Sequence, residues 1–206
     1  MKTILSAFII LLLISCKTNK PNPIIGILPY IGIKNSVVDS VKSQLLSTYG
    51  FNVVILDEVK LPKNAFTSVR SRYRADSLLR FESQMIPDSI SILIGLTNKD
   101  ISTTKKDKTT GQVKTPKSKY MDWGIFGLGQ VGGTSCVVST YRLKPKVSKS
   151  KFYTRVMRIA THEVGHVLGL PHCPTLDCVM NDANESIKTV DTSSGKLCAD
   201  CLQKIN

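Results

Sequence analysis

The chain has 206 residues, of which 28 are Lys or Arg and 15 are Asp or Glu, so its formal net charge is +13. This length fits one domain with a sizeable core. No nucleic-acid-binding motif accompanies the positive charge, and no aromatic residues alternate with the basic ones, so nucleic acid is not an expected partner.

Residues 1–16 resemble an export signal. Lys2 is followed by a mostly apolar run of eleven residues, Ile4 to Ile14, which is shorter than the roughly 20 residues that span a bilayer. Leu13-Ile14-Ser15-Cys16 resembles a bacterial lipobox, in which cleavage precedes the cysteine and its thiol carries lipid. An ordinary secretory signal with an incidental Cys16 is the alternative.

We therefore expect residues 1–15 to be a signal peptide and residues 16–23 a polar, Pro-rich tether. Residues 24–206 would form the folded domain. The protein would be anchored through Cys16 in a bacterial cell envelope, outside the cytoplasm. Because Lys17 rather than Asp follows the cysteine, resemblance to sorted lipoproteins favours the outer membrane over the inner one.

The first third of the folded part alternates between strand and helix patterns. Short apolar runs predict buried strands, and apolar residues at helical spacing predict amphipathic helices, the first of which Gly50 can end. The predicted elements are a strand at Ile24–Leu28, a helix from Asn35 or Ser36, a strand at Phe51–Leu56, a helix at Arg74–Met85 and a strand at Ile90–Leu96. This β-α-β-α-β order implies right-handed crossovers and a largely parallel sheet.

Residues 98–120 hold seven of the lysines and almost no apolar periodicity. We expect a solvated, mobile insertion. The functional alternative is a basic patch that binds anionic lipid, a glycan or an acidic peptide.

Two further strands and one long helix are predicted after this insertion. Trp123 to Leu128 forms the fourth strand, and the Gly-rich turn from Gly129 to Gly133 leads to a fifth strand at Cys136 to Leu143. We expect this fifth strand at the edge of the sheet. The long helix runs from about Ser148 to Leu168, and five apolar positions would pack inward: Val156, Ile159, Ala160, Val164 and Val167.

All three histidines of the chain lie between residues 162 and 172. His162 and His166 are four residues apart, which puts both imidazoles on one face of a helix, about 6 Å apart along its axis. Gly169 can end the helix in a left-handed conformation, and Pro171 cannot continue it. His172 can then fold back and join the other two around one Zn²⁺, leaving one position open for water.

Glu163 lies beside a predicted ligand but is not needed as one. We predict that it acts as general base towards a zinc-bound water. The pattern His-Glu-x-x-His-x-x-Gly-x-x-His is the long metzincin form of the zinc-protease motif, which is far more specific than the short form.

The six cysteines fall into three groups. Cys16 is the predicted lipid site, and Cys136 is expected to be a small buried residue in a strand. The other four follow the histidines in the pattern C-x4-C…C-x2-C: Cys173, Cys178, Cys198 and Cys201. This spacing favours a structural four-cysteine zinc site. Two local disulfides are the alternative, because an exported protein meets an oxidising compartment.

Together these residues resemble the archaemetzincin signature. The match consists of His162, Glu163, His166, Gly169, His172, Cys173, Cys178, Met180, Cys198 and Cys201, with seventeen residues between Met180 and the final C-x2-C. Upstream, Val137 to Leu143 also looks like the strand that precedes the active-site helix in that family.

The resemblance implies a zinc metalloprotease with two zinc ions per chain, one catalytic and one structural. Its fold class would be α/β: a mostly parallel twisted sheet with an antiparallel edge strand, an active-site helix and a zinc-stapled C-terminal part. Met180 would be the Met-turn residue beneath the catalytic metal. The lipoprotein signal is a departure from the family.

A peptide or protein would be the substrate, and a monomer is expected. An extended substrate could pair with the main chain around Val138, Thr140 and Arg142. One alternative is a non-catalytic, zinc-stabilised lipoprotein that binds peptides, against which the intact Glu163 argues. Another is a thiol redox protein built on Cys198 and Cys201, which leaves the three histidines unexplained.

Overall fold

The computed structural model describes residues 22–182 and 186–205. The predicted signal peptide, Cys16 and most of the tether lie outside the described residues. None of the helices in these two ranges is both long enough and apolar enough to cross a membrane.

Nine strands occur in the described residues. They are β1 (Ile24–Pro29), β2 (Asn52–Ile55), β3 (Phe66–Thr67), β4 (Arg72–Arg74), β5 (Ile92–Thr97), β6 (Ile101–Thr103), β7 (Trp123–Ile125), β8 (Gly127–Gly129) and β9 (Ser135–Ser139). The helices are α1 (Asn35–Tyr49), α2 (Ala75–Ser83), α3 (Lys117–Tyr120), α4 (Lys149–Val167), α5 (Ile187–Thr192) and α6 (Ala199–Ile205).

The main sheet has five strands in the order β2-β1-β5-β9-β8. The first four run parallel to one another, and β8 runs antiparallel to β9 at the edge. Helices α1 and α2 connect successive parallel strands, as the alternating pattern predicted. The mixed α/β class with an antiparallel edge strand is therefore confirmed.

The prediction that the strand containing Cys136 to Leu143 forms the sheet edge is wrong. Val138 is paired on both sides, with Leu96 of β5 and with Gly127 of β8. The predicted fourth strand divides at Phe126, so that β7 joins one sheet and β8 becomes the edge of the other. The fifth strand also ends earlier than predicted, at Ser139.

A second, four-stranded sheet has the order β3-β4-β6-β7. Strand β6 and helix α3 come from the Lys-rich segment that was predicted as a solvated, mobile insertion. In the same segment Lys106 and Val113 form an antiparallel bridge. No regular element was predicted in this segment, because it lacks apolar periodicity, but backbone hydrogen bonds organise it.

Helices cover both faces of the main sheet. Because successive strand side chains point to opposite faces, Ile94 and Val138 pack in the core that contains α1 and α4, whereas Leu93 and Val137 face α2. Gly50 ends α1 with a positive φ of 67°, as predicted. The five inward positions predicted for α4 are all buried: Val156, Ile159, Ala160, Val164 and Val167.

The C-terminal part is tied to α4 by charge. The buried guanidinium of Arg155 on α4 donates two hydrogen bonds of 2.7 Å to the carboxylate of Asp191 on α5. Lys151 lies 3.0 Å from the same carboxylate. These contacts hold α5 against the helix that carries the first two histidines.

Candidate metal centre

Helix α4 places His162 and His166 on one face, with ring centroids 4.6 Å apart. The N-terminus of the helix is capped by Ser148, whose Oγ accepts a hydrogen bond from the N–H of Lys151 at 3.2 Å. Such a cap satisfies one of the free N–H groups of the first turn. Both side chains are therefore held by a regular helix rather than by a loop.

The helix ends in a Schellman motif. Gly169 has a φ of 94°. Its N–H donates a 2.9 Å hydrogen bond to the carbonyl of His166, and the N–H of Leu170 donates one of 2.9 Å to the carbonyl of Gly165. This pair of bonds with a left-handed glycine defines the motif. The chain reverses here, as the positions of Gly169 and Pro171 predicted.

The reversal brings His172 back to the other two histidines. Its ring centroid lies 5.3 Å from that of His162 and 4.9 Å from that of His166. One nitrogen from each ring lies within 4.8 Å of the others. Three nitrogens this close can share one zinc ion, for which Zn–N distances are about 2.0–2.1 Å.

Two of the imidazoles are oriented by main-chain carbonyls. His162 Nδ1 lies 2.7 Å from the carbonyl oxygen of Val179, and His166 Nδ1 lies 2.7 Å from that of Leu170. A carbonyl only accepts hydrogen bonds, so each Nδ1 carries the proton and each Nε2 keeps its lone pair for a metal.

The protonation of these rings also suits a metal. Burial, followed by the nearby His166, lowers the pKa of His162 to about 4. Burial lowers the pKa of His166 as well. Both rings are neutral at pH 7, which is the form that coordinates zinc.

Met180 lies beneath the turn of helix between His162 and His166. Its side chain is fully buried and packs against Gly165, where a Cβ would collide with its sulfur. The backbone is fixed by a 2.8 Å hydrogen bond from the N–H of Cys173 to the carbonyl of Met180. Met180 is therefore a buried apolar contact of the helix that carries His162 and His166.

Glu163 lies on α4 beneath the glycines of β8 and is buried. Burial raises the pKa of its carboxyl to about 8, and a hydrogen bond from the N–H of Gly129 opposes that rise. A Cβ at position 127 would lie 2.8 Å from Glu163 Oε1. The Glu163 carboxyl therefore fits here because residue 127 is a glycine.

A cavity of about 940 Å³ contains Glu163 and the three histidines. Helix α4 forms one side, and β7 and β8 form another. Four lysines of the Lys-rich segment also line the cavity, together with two arginines: Lys105, Lys106, Lys108, Lys114, Arg142 and Arg158. This volume is in the usual range for a ligand pocket.

The predicted substrate-pairing residues do not form a free edge. Val138 and Thr140 are buried, and the strand that contains Val138 has a neighbouring strand on each side. Arg142 donates hydrogen bonds of 2.6 and 2.8 Å to Asp100. Their expected role depended on the edge placement that the fold overturns.

The free main-chain edge in the cavity belongs to β8. The N–H of Ser139, the last residue of β9, donates a 2.8 Å hydrogen bond to the carbonyl of Phe126, the residue before β8. Because alternate residues of an edge strand point their main-chain groups inward and outward, Gly127 and Gly129 point theirs away from β9. Sequence reasoning missed these two glycines, although a Gly-x-Gly pattern next to a strand was a signal.

Asp182 is a further residue that sequence reasoning missed. Its Oδ2 lies 3.5 Å from His172 Nδ1 and 3.1 Å from Lys108 Nζ. His172 is the most exposed of the three histidines, and its side chain is 43% exposed. The only available signal was an acidic residue two positions after Met180.

The four clustered cysteines form a second candidate metal site. Cys173 and Cys198 have their sulfurs 3.7 Å apart, and Cys178 and Cys201 have theirs 3.8 Å apart. A disulfide requires about 2.05 Å. Four sulfurs placed tetrahedrally about 2.3 Å from one zinc ion would lie about 3.8 Å from one another.

Each of these sulfur contacts joins a cysteine of the C-x4-C pair to a cysteine of the C-x2-C pair, and neither joins two cysteines of the same pair. Among the described cysteines, all are unbridged thiols. The N–H of Cys201 is the main cause that lowers the pKa of Cys198, to about 7. This arrangement fits one ion held by both motifs better than two local disulfides. Cys136 is buried in the core, as predicted.

The model of peptidase family M54 matches residues 23–206. The archaemetzincin of Saccharolobus solfataricus is 32% identical over 180 residues, which cover 84% of this chain and 87% of that protein. The archaemetzincin of Haloquadratum walsbyi is 28% identical over 186 residues, covering 86% and 96% of the two chains.

Solved archaemetzincin structures are also similar to this chain. The crystal structure of archaemetzincin from Methanopyrus kandleri superposes with a TM-score of 0.72 at 27% identity, covering 89% of this chain and 93% of that one. Archaemetzincin from Archaeoglobus fulgidus, complexed with malonate, gives 0.69 at 28% identity, with coverage of 88% and 99%.

Proposed function

This chain belongs to peptidase family M54, the archaemetzincins, and is a zinc metalloprotease; we propose that Glu163 is its general base. We further propose that His162, His166 and His172 hold the catalytic ion. The observation that carries the proposal is the presence of these four side chains in one cavity, with two of the imidazoles fixed by main-chain carbonyls.

When bound, zinc supplies a Lewis acid that polarises the scissile carbonyl and makes the attacking water more acidic. Glu163 accepts one proton from that water at its carboxylate as the new C–O bond forms. The same group then gives the proton to the amide nitrogen as the C–N bond breaks. Because a neighbouring cation favours a carboxylate over the neutral acid, the pKa of Glu163 should fall when the metal is held.

An extended substrate would lie along β8. The outward N–H and carbonyl groups of Gly127 and Gly129 can pair with a peptide main chain. The N–H of Gly129 lowers the pKa of the Glu163 carboxyl, so a substrate carbonyl that binds this N–H would compete with the carboxylate for it. This competition would release Glu163 towards the attacking water.

Glu163→Gln tests the general-base assignment. The amide keeps the size of the side chain but cannot take up the proton. We expect hydrolysis of a peptide mixture to fall by about 10²–10⁴-fold, while the zinc content by plasma emission spectrometry stays that of the wild type. Glu58→Gln, at an exposed carboxyl outside the cavity, is the matched control and should keep both properties.

Two other results would contradict the assignment. Retained hydrolysis in Glu163→Gln would show that another group is the base. If wild-type protein with full zinc hydrolyses no peptide, the non-catalytic peptide-binding alternative is favoured instead. The two results are separated by measuring the wild type first.

We also propose that Cys173, Cys178, Cys198 and Cys201 hold a second, structural zinc ion. Sulfur spacing near that of a tetrahedral zinc–thiolate site supports this proposal. Such a closed site would tie the segment after His172 to α6, and metal binding there would contribute to folding.

Finally, we propose that the protein is anchored in a bacterial envelope membrane through lipid on Cys16. The support is the sequence alone, with its lipobox-like Leu13 to Cys16. A diacylglycerol and an amide-linked acyl chain provide several chains, which is enough for stable anchoring. Labelling with a radioactive fatty acid should mark the wild type and not Cys16→Ser. An unlabelled wild type that fractionates like the variant would contradict the anchor.

A further inference from the structure

We propose that the cavity selects acidic peptides, and that Lys106 and Lys114 bind the acidic side chains. This inference rests on the proposed peptidase function. The Lys-rich segment does not lie on a remote surface, because Lys106 and Lys114 line the same cavity as Glu163 and the three histidines. A substrate held for hydrolysis therefore passes these two ammonium groups.

The cavity is strongly biased towards positive charge. Among the described residues, its lining contains six lysine or arginine side chains and three acidic ones. The acidic ones are Asp107, Glu163 and Asp182. Each of the three is already engaged by groups of the protein.

Asp107 is turned towards its own loop. Its Oδ1 accepts hydrogen bonds from the N–H groups of Thr109 and Thr110, at 3.0 and 2.9 Å. These two donors are the main cause that lowers its pKa, and Lys114 is a weaker influence. Glu163 is buried under β8, and Asp182 contacts Lys108 and His172.

Several of the basic groups are also engaged. Arg142 pairs with Asp100, and Lys108 pairs with Asp182. Arg158 donates to the carbonyls of Val190 and Asp191. Lys105 Nζ lies 4.8 Å from the centre of the Trp123 ring. Within residues 22–182 and 186–205, Lys106 and Lys114 have no acidic group at salt-bridge distance.

A hairpin holds the lysines together. Lys106 bridges Val113, and the N–H of Lys114 bonds to the carbonyl of Lys105 at 3.1 Å. This register puts Lys105 and Lys114 opposite each other on the two strands. The backbone bonds of the hairpin therefore fix Lys106 and Lys114 on neighbouring positions of the cavity wall.

The position of the hairpin favours a peptide over a lipid surface or a glycan. Membrane-binding lysines need to lie on an outer face. Lys106 is exposed, but Lys114 is half-buried in the wall of a cavity, where a flat membrane surface does not reach. The cavity also contains the outward main-chain groups of Gly127 and Gly129, which suit an extended peptide. Side-chain carboxylates of such a peptide are the anions that can reach Lys106 and Lys114.

The test uses synthetic peptides of one sequence in which a single position carries Asp, Asn or Lys in turn. The full-length, zinc-loaded protein cleaves each peptide, and mass spectrometry gives kcat and KM. The varied position is moved along the peptide, and the Asp peptide with the highest kcat/KM is compared with the Asn peptide of the same position. We expect its kcat/KM to be about tenfold higher, mostly because KM is lower, which is the size expected of two partly exposed ion pairs. The advantage should shrink between 50 mM and 1 M salt, because screening weakens exposed charge pairs.

Lys106→Glu/Lys114→Glu should abolish or reverse this preference, measured as the ratio of kcat/KM for the Asp peptide to that for the Asn peptide. Lys60→Glu/Lys63→Glu is the matched control: it changes the net charge equally, at two exposed lysines outside the cavity lining. This control should keep the preference for Asp. Thermal unfolding of both variants checks that they fold.

The outcomes separate the two proposals. If no peptide is cleaved by the wild type, the proposed peptidase function fails. If peptides are cleaved without regard to charge, or if both double variants lose the preference equally, only the acidic specificity is overturned. In that case the lysines would be left to bind a lipid or a glycan.

Discussion

Met180 packs against Gly165 of α4 so closely that a side chain at position 165 does not fit. A Cβ at residue 165 would collide with the Met180 sulfur, and the next nearest group is the Tyr49 hydroxyl. Tyr49 in turn donates a 2.6 Å hydrogen bond to the carbonyl of Thr161, one residue before the first histidine. The glycine therefore sets how near Met180 approaches the helix that carries His162 and His166.

Gly165→Ala should push Met180 outward and destabilise the fold by about 1–3 kcal/mol, the usual cost of overpacking. This cost outweighs the roughly 1 kcal/mol that Ala gains over Gly in a helix. Urea unfolding measures the change, and zinc content under chelator competition should fall as well. Adding Met180→Ala to Gly165→Ala should cost less than the sum of the two single changes. Strict additivity would show that the two residues do not interact.

Asp182→Asn should weaken zinc binding by about 10–100-fold, the range seen when a partner of a histidine ligand is removed. The carboxylate lies 3.5 Å from Nδ1 of His172, the most exposed of the three rings, and we expect it to orient that ring when the metal is bound. Competition with a fluorescent zinc chelator gives the affinity directly. Lys108→Gln removes a partner of Asp182 but leaves the carboxylate in place, so a much smaller change is expected. Equal losses in both variants would assign the effect to the charge network and not to the orientation of His172.

Cys198→Ser should loosen the C-terminal part and lower the occupancy of the catalytic site indirectly, through Met180. Wild-type protein should contain two zinc ions, and the three-histidine site should yield to a chelator first because it is open. Thiol titration after denaturation and metal removal should find four reactive thiols besides Cys136. Two disulfides with a single zinc would show that an oxidising compartment had closed the cysteines before metal arrived.

Asp191→Asn should destabilise the protein at pH 7 by about 1–3 kcal/mol, because it removes a charged acceptor from the buried Arg155. The Arg155 hydrogen bonds are the main cause that lowers the pKa of Asp191 to about 2, against about 3.9 when unfolded. A lowered folded pKa means that the contribution is complete above about pH 4 and disappears as pH falls towards 2. The difference between wild type and variant in urea unfolding should therefore shrink from pH 4 to pH 2. Asp88→Asn, at an exposed site, should differ little from wild type throughout.

The metal centre was largely predictable because its chemistry depends on short spacings. Two histidines four apart on a helix, a glycine that ends the helix and a third histidine beyond it determine one geometry. The structure brings the three rings together through a Schellman motif at Gly169. The four cysteines were foreseen for the same reason.

The second sheet could not be predicted, because its strands have only two or three residues. Such strands carry too few residues to show a period, and their partners lie far away in the sequence. The split at Phe126 was missed for a related reason. One continuous strand pattern covered β7 and β8, whereas hydrogen bonding places them in different sheets.

Contacts between distant parts of the chain account for the remaining misses. Lys108 and Asp182 are 74 residues apart, and nothing in either local sequence points to the other. The Lys-rich segment lacked apolar periodicity, so its hairpin and its place beside the metal centre were hidden. Its charge indicated a basic patch, but only the fold shows that the patch faces the cavity.

The lysine hairpin extends from the small sheet, and none of the proposed metal ligands lies on a strand of that sheet. The lysines of the hairpin and the proposed metal ligands therefore lie on different elements of the fold, although they line one cavity. One contact between the hairpin and the metal centre is the pair of Lys108 with Asp182, which lies beside His172. A protein engineer could exchange the hairpin between Lys105 and Lys114 for one of different charge and length, and obtain proteases of new selectivity around an unchanged metal site.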